Sequence, residues 1–394
     1  MKRRLLPDGG VAMFSSNSSQ VSDDKLFVED CFSCFVYTGN GSTQTITNGI
    51  DLAGKGGMVW IKARSAASSQ RLYDTIRGAD NAVFSNLTNA QTALTGTLPS
   101  FTSSGFSVGA GNSNNGDTYA SWTFRKAPKF FDVVTWTGNG TFKRTLNHSL
   151  GVDPGFIIVK RTDTSSNWWT YHRGVSGSIN GYLNLTNAFT NSGYVAPGSI
   201  LFSENPAAVF NVFNAGSGDD LNVSGATYVA YLFAHDTTSD GIIQCGSYTG
   251  NGYSGAVPNT VTLGWEPQWV MIKKSSSGTA PSDWYIFDNM RGMPVLSGQT
   301  QFLSANTSGS EIADVTTIQP TATGFQLVRN YSGTNANGET YVYIAIRRGP
   351  MKPPTVGTTV FSPVAYTGNS SAKTVTSNFP VDWFISPRKR RKRN

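Results

Sequence analysis

The chain has 394 residues, 38% of them hydrophobic, a soluble globular composition long enough for two to four domains with cores of their own. Only 14% are charged while glycine reaches 42 and Ser, Thr and Asn abound, which is the look of extracellular or virion β-proteins. The formal charge of +7 sits mostly at the ends, in residues 388–393 and in Lys2, Arg3 and Arg4, so the body is near neutral and nucleic acid is disfavoured as a partner.

Residues 1–10 join a basic cluster to Pro7, Asp8 and two glycines, which leaves no apolar stretch for a signal peptide. No run reaches transmembrane length, so the product is expected to start as a soluble cytosolic protein without membrane insertion. Next come Cys31 and Cys34, a CxxC with no second pair to complete a zinc site. Cys34 lies four residues before Thr38 and Cys245 four before Thr249, but Val133 and Pro363 hold that slot elsewhere. The thiols are therefore expected to be small buried strand residues.

Tyr37, Thr38, Gly39, Asn40 and Gly41 form a phrase that returns at Trp136–Gly140, at Tyr248–Gly252 and, altered, at Tyr366–Ser370. The copies lie roughly 100 to 120 residues apart, the size of a compact domain and far above a solenoid repeat. Short β-prone runs flank each copy, and Asn-Gly is a strong hairpin signal, so each repeat is expected to open with a β-hairpin. An apolar run ending in lysine follows at 58–62, 156–160 and 269–273. It is too short for a helix and continuously apolar, as a strand covered on both faces would be.

Then comes an arginine and glycine pair: Arg77 and Gly78, Arg173 and Gly174, Arg291 and Gly292. Asp74 and Asp288 precede two of the arginines by three residues, a spacing for a structural ion pair or turn cap. Aromatic residues cluster before these arginines: Tyr73, then Trp168, Trp169 and Tyr171, then Trp284 and Tyr285. A ring beside an arginine can serve as a platform for sugars or planar groups, which makes these residues, with Arg77, Arg173 and Arg291, the candidate ligand-binding set. Ordinary core packing is the competing and favoured explanation of the aromatics. Each repeat closes on a Thr-Tyr strand, at 118–125, 227–235 and 340–347; in the first, Tyr119, Ser121 and Thr123 alternate with Ala120, Trp122 and Phe124.

No convincing helix of three turns is found and turn signals recur every eight to twelve residues, so the expected fold is all-β: tandem antiparallel β-sandwiches of jelly-roll, concanavalin/laminin-G-like type. The divisions are 1–29 as an N-terminal extension, 30–128, 129–236 and 241–350 as repeats 1 to 3, and 360–394 as a truncated fourth repeat with a basic tail. The fourth copy reaches Trp383, Phe384 and Ile385 before the basic run, which reads as either a native tail or a truncation scar. The joints at 127–130, 236–241 and 349–359, the last with Pro350, Pro353 and Pro354, are expected to hold the repeats in line.

The Tyr-Thr-Gly-Asn-Gly phrase, the strand with Trp60, Ile61 and Lys62, the 74–78 element, the 119–128 closing segment and the 351–366 joint together resemble an uncharacterised repeat module of tail-associated structural proteins of marine phages. The resemblance covers about residues 30–385. It implies a virion location, contact with a bacterial surface glycan or receptor and with other tail proteins, and no catalytic residues; homo-oligomerisation stays open.

Signs of chemistry are sparse. A glycosidase needs two carboxyl groups across a cleft, and the acidic positions do not recur through all three repeats. His148, His172 and His235 all fall in the second repeat without a metal-ligand spacing, and no P-loop, dinucleotide fingerprint or nucleophile elbow is present. Asp219, Asp220 and Asn222 could hold calcium, yet they do not repeat. No cofactor is expected. The leading function is a non-enzymatic tail fibre or appendage, with a free carbohydrate-binding lectin and a polysaccharide depolymerase as alternatives.

Overall fold

A computed structural model describes residues 25–351 apart from 99, 176–178, 192–206, 215, 217–219, 254–256, 277–281, 296–297 and 316, together with 364, 366, 367 and 371. The fourth phrase copy beyond those few residues, both basic clusters and Asp219 lie outside the described set. Residues 1–349 and 350–394 are separate compact units, and the three full repeats make up the first.

The protein is an all-β, antiparallel sandwich built three times. In each repeat the main sheet begins with four strands in one order: opening, closing, lysine-bearing and flanking. In repeat 1 these are Phe32–Thr38, Thr118–Arg125, Gly57–Ala63 and Arg71–Asp74. In repeat 2 they are Phe131–Thr137, Thr227–Ala234, Pro154–Arg161 and Trp169–His172, and in repeat 3 Ile243–Thr249, Thr340–Arg347, Pro267–Lys274 and Tyr285–Asp288. A smaller sheet faces each main one; in repeat 1 it comprises Gln44–Thr47, Gly105–Val108 and Ser100–Thr102. The longest helix among the described residues is Leu52–Lys55, capped by the Asp51 carboxylate on Gly54 N.

The expected opening hairpin does not form. Phe32–Thr38 pairs with the closing strand, whereas Gln44–Thr47 pairs with Gly105–Val108 in the other sheet, so the Gly-Asn-Gly turn is an arch from sheet to sheet. Its wording has a specific cause. Asn40 N donates to the Asn114 carboxamide oxygen at 2.9 Å, as Asn139 N does to Asn222 at 3.1 Å and Asn251 N to Asn335 at 3.0 Å. The phrase's first glycine passes so close to this bracing loop that a Cβ would sit 2.0 Å from Val223 O at Gly138 and 2.0 Å from Ala336 O at Gly250. The second glycine takes positive φ, 69° at Gly41, 75° at Gly140 and 69° at Gly252. The leading aromatic stacks on the closing-strand tyrosine, with centroids 5.0 Å apart for Tyr37 and Tyr119, 5.1 Å for Trp136 and Tyr228, and 5.3 Å for Tyr248 and Tyr341.

The lysine strand is covered on both faces as expected, but by two different partners. Val59, Ile61 and Ala63 join the sandwich core of repeat 1 with Tyr37, Tyr73, Phe106 and Tyr119. Met58, Trp60 and Lys62 alternate to the other side and are equally buried. On the closing strand Trp122 and Phe124 share that outer side, and both are fully buried. What buries them is the other repeats: the Phe124 ring meets Phe233 of repeat 2 at 5.4 Å and Trp269 of repeat 3 at 6.0 Å. The repeats therefore do not stand in line; they close on one another around a shared aromatic centre. The first joint folds back, with Ala127 bridged to Phe131 and Phe130 wholly buried beside Phe32 and Phe124.

Candidate functional site

The same hydrogen bonds recur at all three seams, which makes the ring pseudo-threefold. Ser166 N of repeat 2 donates to Thr88 O of repeat 1, Ser282 N of repeat 3 to Thr186 O of repeat 2, and Ser68 N of repeat 1 to Ser308 O of repeat 3. The residue just before each flanking strand repeats the pattern through its side chain. Trp168 Nε1 donates to Phe84 O at 2.9 Å, Trp284 Nε1 to Tyr182 O at 3.0 Å, and Gln70 Nε2 to Ser304 O. In repeat 1 the smaller glutamine leaves room that Trp60 fills, its indole donating to Gln70 Oε1 at 2.7 Å.

The lysines that end the apolar runs serve the same seams. Lys160 Nζ donates to Thr88 O at 3.0 Å and Lys273 Nζ to Thr186 O at 2.8 Å, each reaching into the preceding repeat. Lys62 instead donates to Ala63 O. Burial pulls Lys273 down to about 7 and, with Arg71 adding repulsion, Lys62 to about 8. These lysines were visible as a pattern, but only the closed ring reveals what they hold.

The candidate residues divide sharply by position. Asp74 and Arg77 form the expected ion pair at 2.5 Å, and Asp288 and Arg291 its counterpart at 2.6 Å. Both pairs lie at seams: Tyr231 of repeat 2 donates to Asp74 at 2.9 Å, and Trp122 of repeat 1 to Asp288 at 2.8 Å. Glu311 binds Arg291 and also Arg64 of repeat 1. Trp168 and Trp284 are spent as seam donors to Phe84 O and Tyr182 O. Tyr73 and Tyr285 lie in sandwich cores. That leaves Trp169, Tyr171 and Arg173, of which the first two are half-buried and Arg173 is exposed. Trp169 and Tyr171 alternate onto one face of an interior strand, the face that carries Arg71 and Tyr73 in repeat 1, with Trp169 packed on Tyr182 at 5.1 Å.

Arg173 is not the counterpart of Arg77 and Arg291. Strand register sets His172 opposite Phe156 as Asp74 is set opposite Met58 and Asp288 opposite Trp269. Arg173 N then donates to Gly155 O, the bond made by Thr75 N to Gly57 O and Asn289 N to Gln268 O. His172 thus holds the aspartate position, and its Nε2 meets Tyr343 O of repeat 3 at 3.0 Å while Nδ1 accepts from Gly174 N. Burial holds this imidazole down at about 3, and no carboxylate offsets it. One seam is therefore neutral where two are ionic.

Other candidate groups are spent on structure. Cys31, Cys34 and Cys245 are buried free thiols, all raised by burial. Asn222 braces the repeat 2 arch, and no cluster of three metal-ligating side chains occurs among the described residues. No helix among them is long and apolar enough to cross a membrane.

Residues 28–350, the span of all three repeats, match a family described as a domain of unknown function, DUF7483. The chain belongs to the DUF7483 family. A search of curated proteins returns no match to it. The matched span of the DUF7483 domain begins at Val28, which is fully buried, and ends beside Gly349, where a Cβ would lie 3.2 Å from a Val28 methyl, so its two ends meet.

Proposed function

We propose that this chain is a non-enzymatic structural protein of a phage virion, a tail fibre or tail-associated appendage that meets a bacterial surface glycan or receptor alongside other tail proteins. The observation carrying this reading is that the wording shared by the repeats is consumed by architecture: arch bracing, tyrosine stacking and seam closure. Carboxylates that could have served catalysis are tied to arginines or lysines, as Asp74, Asp132, Asp288 and Glu311 are. A rigid ring also holds three similar sets of arches at fixed separations, which lets weak contacts add through effective concentration. The contact surface we assign is the Trp169, Tyr171 and Arg173 strip, with the exposed Phe142 beside the repeat 2 arch as a second aromatic.

The test is adsorption and location together. Labelled full-length protein is expected to bind a bacterial surface polysaccharide, to lose most binding in Trp169→Ala and Arg173→Ala, and antibodies to it should decorate the tail of particles that carry the gene. Binding without tail decoration would make it a free lectin, and a fall in polymer viscosity a depolymerase. Failure of both binding and decoration would refute the reading.

A further inference from the structure

Repeat 1 places a buried guanidinium at a flanking-strand position where the other repeats carry aromatic side chains. Arg71 opens its flanking strand opposite Ile61, on the core side of the sheet, and is only 6% exposed. Trp169 and Tyr285 occupy the same position in repeats 2 and 3, so the fold itself does not require a guanidinium there. No carboxylate among the described residues pairs with Arg71. All three of its hydrogen bonds leave from Nη1, to Ser68 Oγ, Ser69 O and Asn112 O, and every one of those acceptors is neutral. The ring of Phe84 lies 5.8 Å from its guanidinium carbon.

Three buried polar groups converge here. Arg71 Nε has no hydrogen-bond partner, and Tyr73 OH and Ser113 Oγ have none beyond each other. Tyr73 sits two residues along the same strand face and is 0% exposed; Ser113 follows the Asn112 that Arg71 already contacts and is also 0% exposed. Burial raises the Tyr73 phenol to about 12 while Arg71 and Ser113 act to lower it, as close neighbours would. Tyr37 OH closes the group by donating to Ser113 O at 2.8 Å. Thr334 takes the place of Ser113 in repeat 3, and its hydroxyl is unpartnered, so the arginine is what distinguishes repeat 1. A buried charge is costly unless neutralised, and buried polar groups are normally bonded. The Nε and Nη2 edge left over is the fork that engages carboxylates side-on. Ala110, Gly111 and Asn112, the last of which gives its carbonyl to Arg71 Nη1, are exposed, so the guanidinium lies one loop away from solvent.

We propose that repeat 1 binds one monovalent anionic group, a halide or a carboxylate, on the Nε and Nη2 edge of Arg71, with the Tyr73 and Ser113 hydroxyls as flanking donors. This does not depend on the adsorption reading; a carboxylate would be either free or carried by a larger acidic molecule laid over the 110–112 loop.

The experiment follows thermal unfolding of the full-length protein at pH 7 and fixed ionic strength, exchanging a bulky sulfonate for chloride or acetate. The midpoint is expected to rise saturably with chloride, acetate or both, and to stay flat in Arg71→Tyr, which places there the residue repeat 3 already carries. Tyr73→Phe, which copies Phe287, should weaken the response about tenfold by removing one bond to a charged group. Line broadening of 35Cl resonances by the folded wild-type protein, reversed by acetate, reads the same site without a variant. Chloride response identifies a halide site and acetate response alone a carboxylate site. An equal rise in wild type and Arg71→Tyr, or neither rise nor line broadening in wild type, would overturn the proposal.

Discussion

Replacing Asp288 by alanine isolates the seam between repeats 3 and 1. Its carboxylate accepts from Arg291 Nε at 2.6 Å, from Arg291 N at 3.0 Å and from Trp122 Nε1 at 2.8 Å, and the side chains of the pair are 1% and 0% exposed. Breaking a buried pair by removing one partner typically costs about 3–5 kcal/mol, because the other charge stays buried. Glu311 still lies 3.1 Å from Arg291, so the lower end, about 3 kcal/mol, is expected. Adding Arg291→Met removes the stranded cation and should restore more than half of the loss, since apolar replacement of a whole buried pair is often neutral. Repeat 2 already works this way, with His172 at the aspartate position. Urea unfolding of the full-length protein at pH 7 measures both variants. If Asp288→Ala costs under about 1 kcal/mol, or the double variant is as unstable as the single, the ion pair is not what holds the seam.

Acid should act first on the neutral seam. The folded His172 value of about 3 lies below the ordinary 6.5, so its contribution is complete above 6.5 and is lost as pH falls toward 3. The slope is about 1.4 kcal/mol per pH unit within that window; the urea midpoint against pH should flatten by about one proton in His172→Gln, and an unchanged slope would exclude this group. Gly138→Ala should cost about 1–3 kcal/mol by driving a Cβ against Val223 O. Gly151→Ala, at φ 66° with open space around it, should cost only about 1 kcal/mol of backbone strain. Equal thermal shifts for the two would show that close approach is not what keeps glycine in the phrase. The isolated segment 131–236 exposes Phe156, Tyr231 and Phe233, all 0–1% exposed in the ring, and is expected to aggregate or remain unfolded by size exclusion and circular dichroism; a monodisperse, cooperatively melting fragment would contradict the shared core.

The repeat and its strands were legible because they depend on local wording, whereas the ring depends on which surface covers which. Asn-Gly specifies a reversal with positive φ, and a hairpin and an arch use it equally; only the distant Asn114, Asn222 and Asn335 decide between them. The continuous apolar run at 58–62 correctly implied two covered faces, but periodicity cannot name the cover, and the alternation of Ala120, Trp122 and Phe124 on the closing strand was the available sign that a second apolar face needed burying. Arg173 was matched to Arg77 by its neighbouring glycine, yet His172 follows Lys160 by the same twelve residues that separate Asp74 from Lys62. Counting from the lysine exposes the substitution between repeats 1 and 2, although the interval lengthens to fifteen residues in repeat 3, from Lys273 to Asp288. The aromatic candidates failed to separate for a related reason: Trp168 and Trp169 are adjacent, but alternation along an extended chain sends the first into a seam and leaves the second half-buried at the sheet. Adjacent identical residues on a strand therefore carry different roles, and the seam register, not the residue type, determines which of them a ligand could reach.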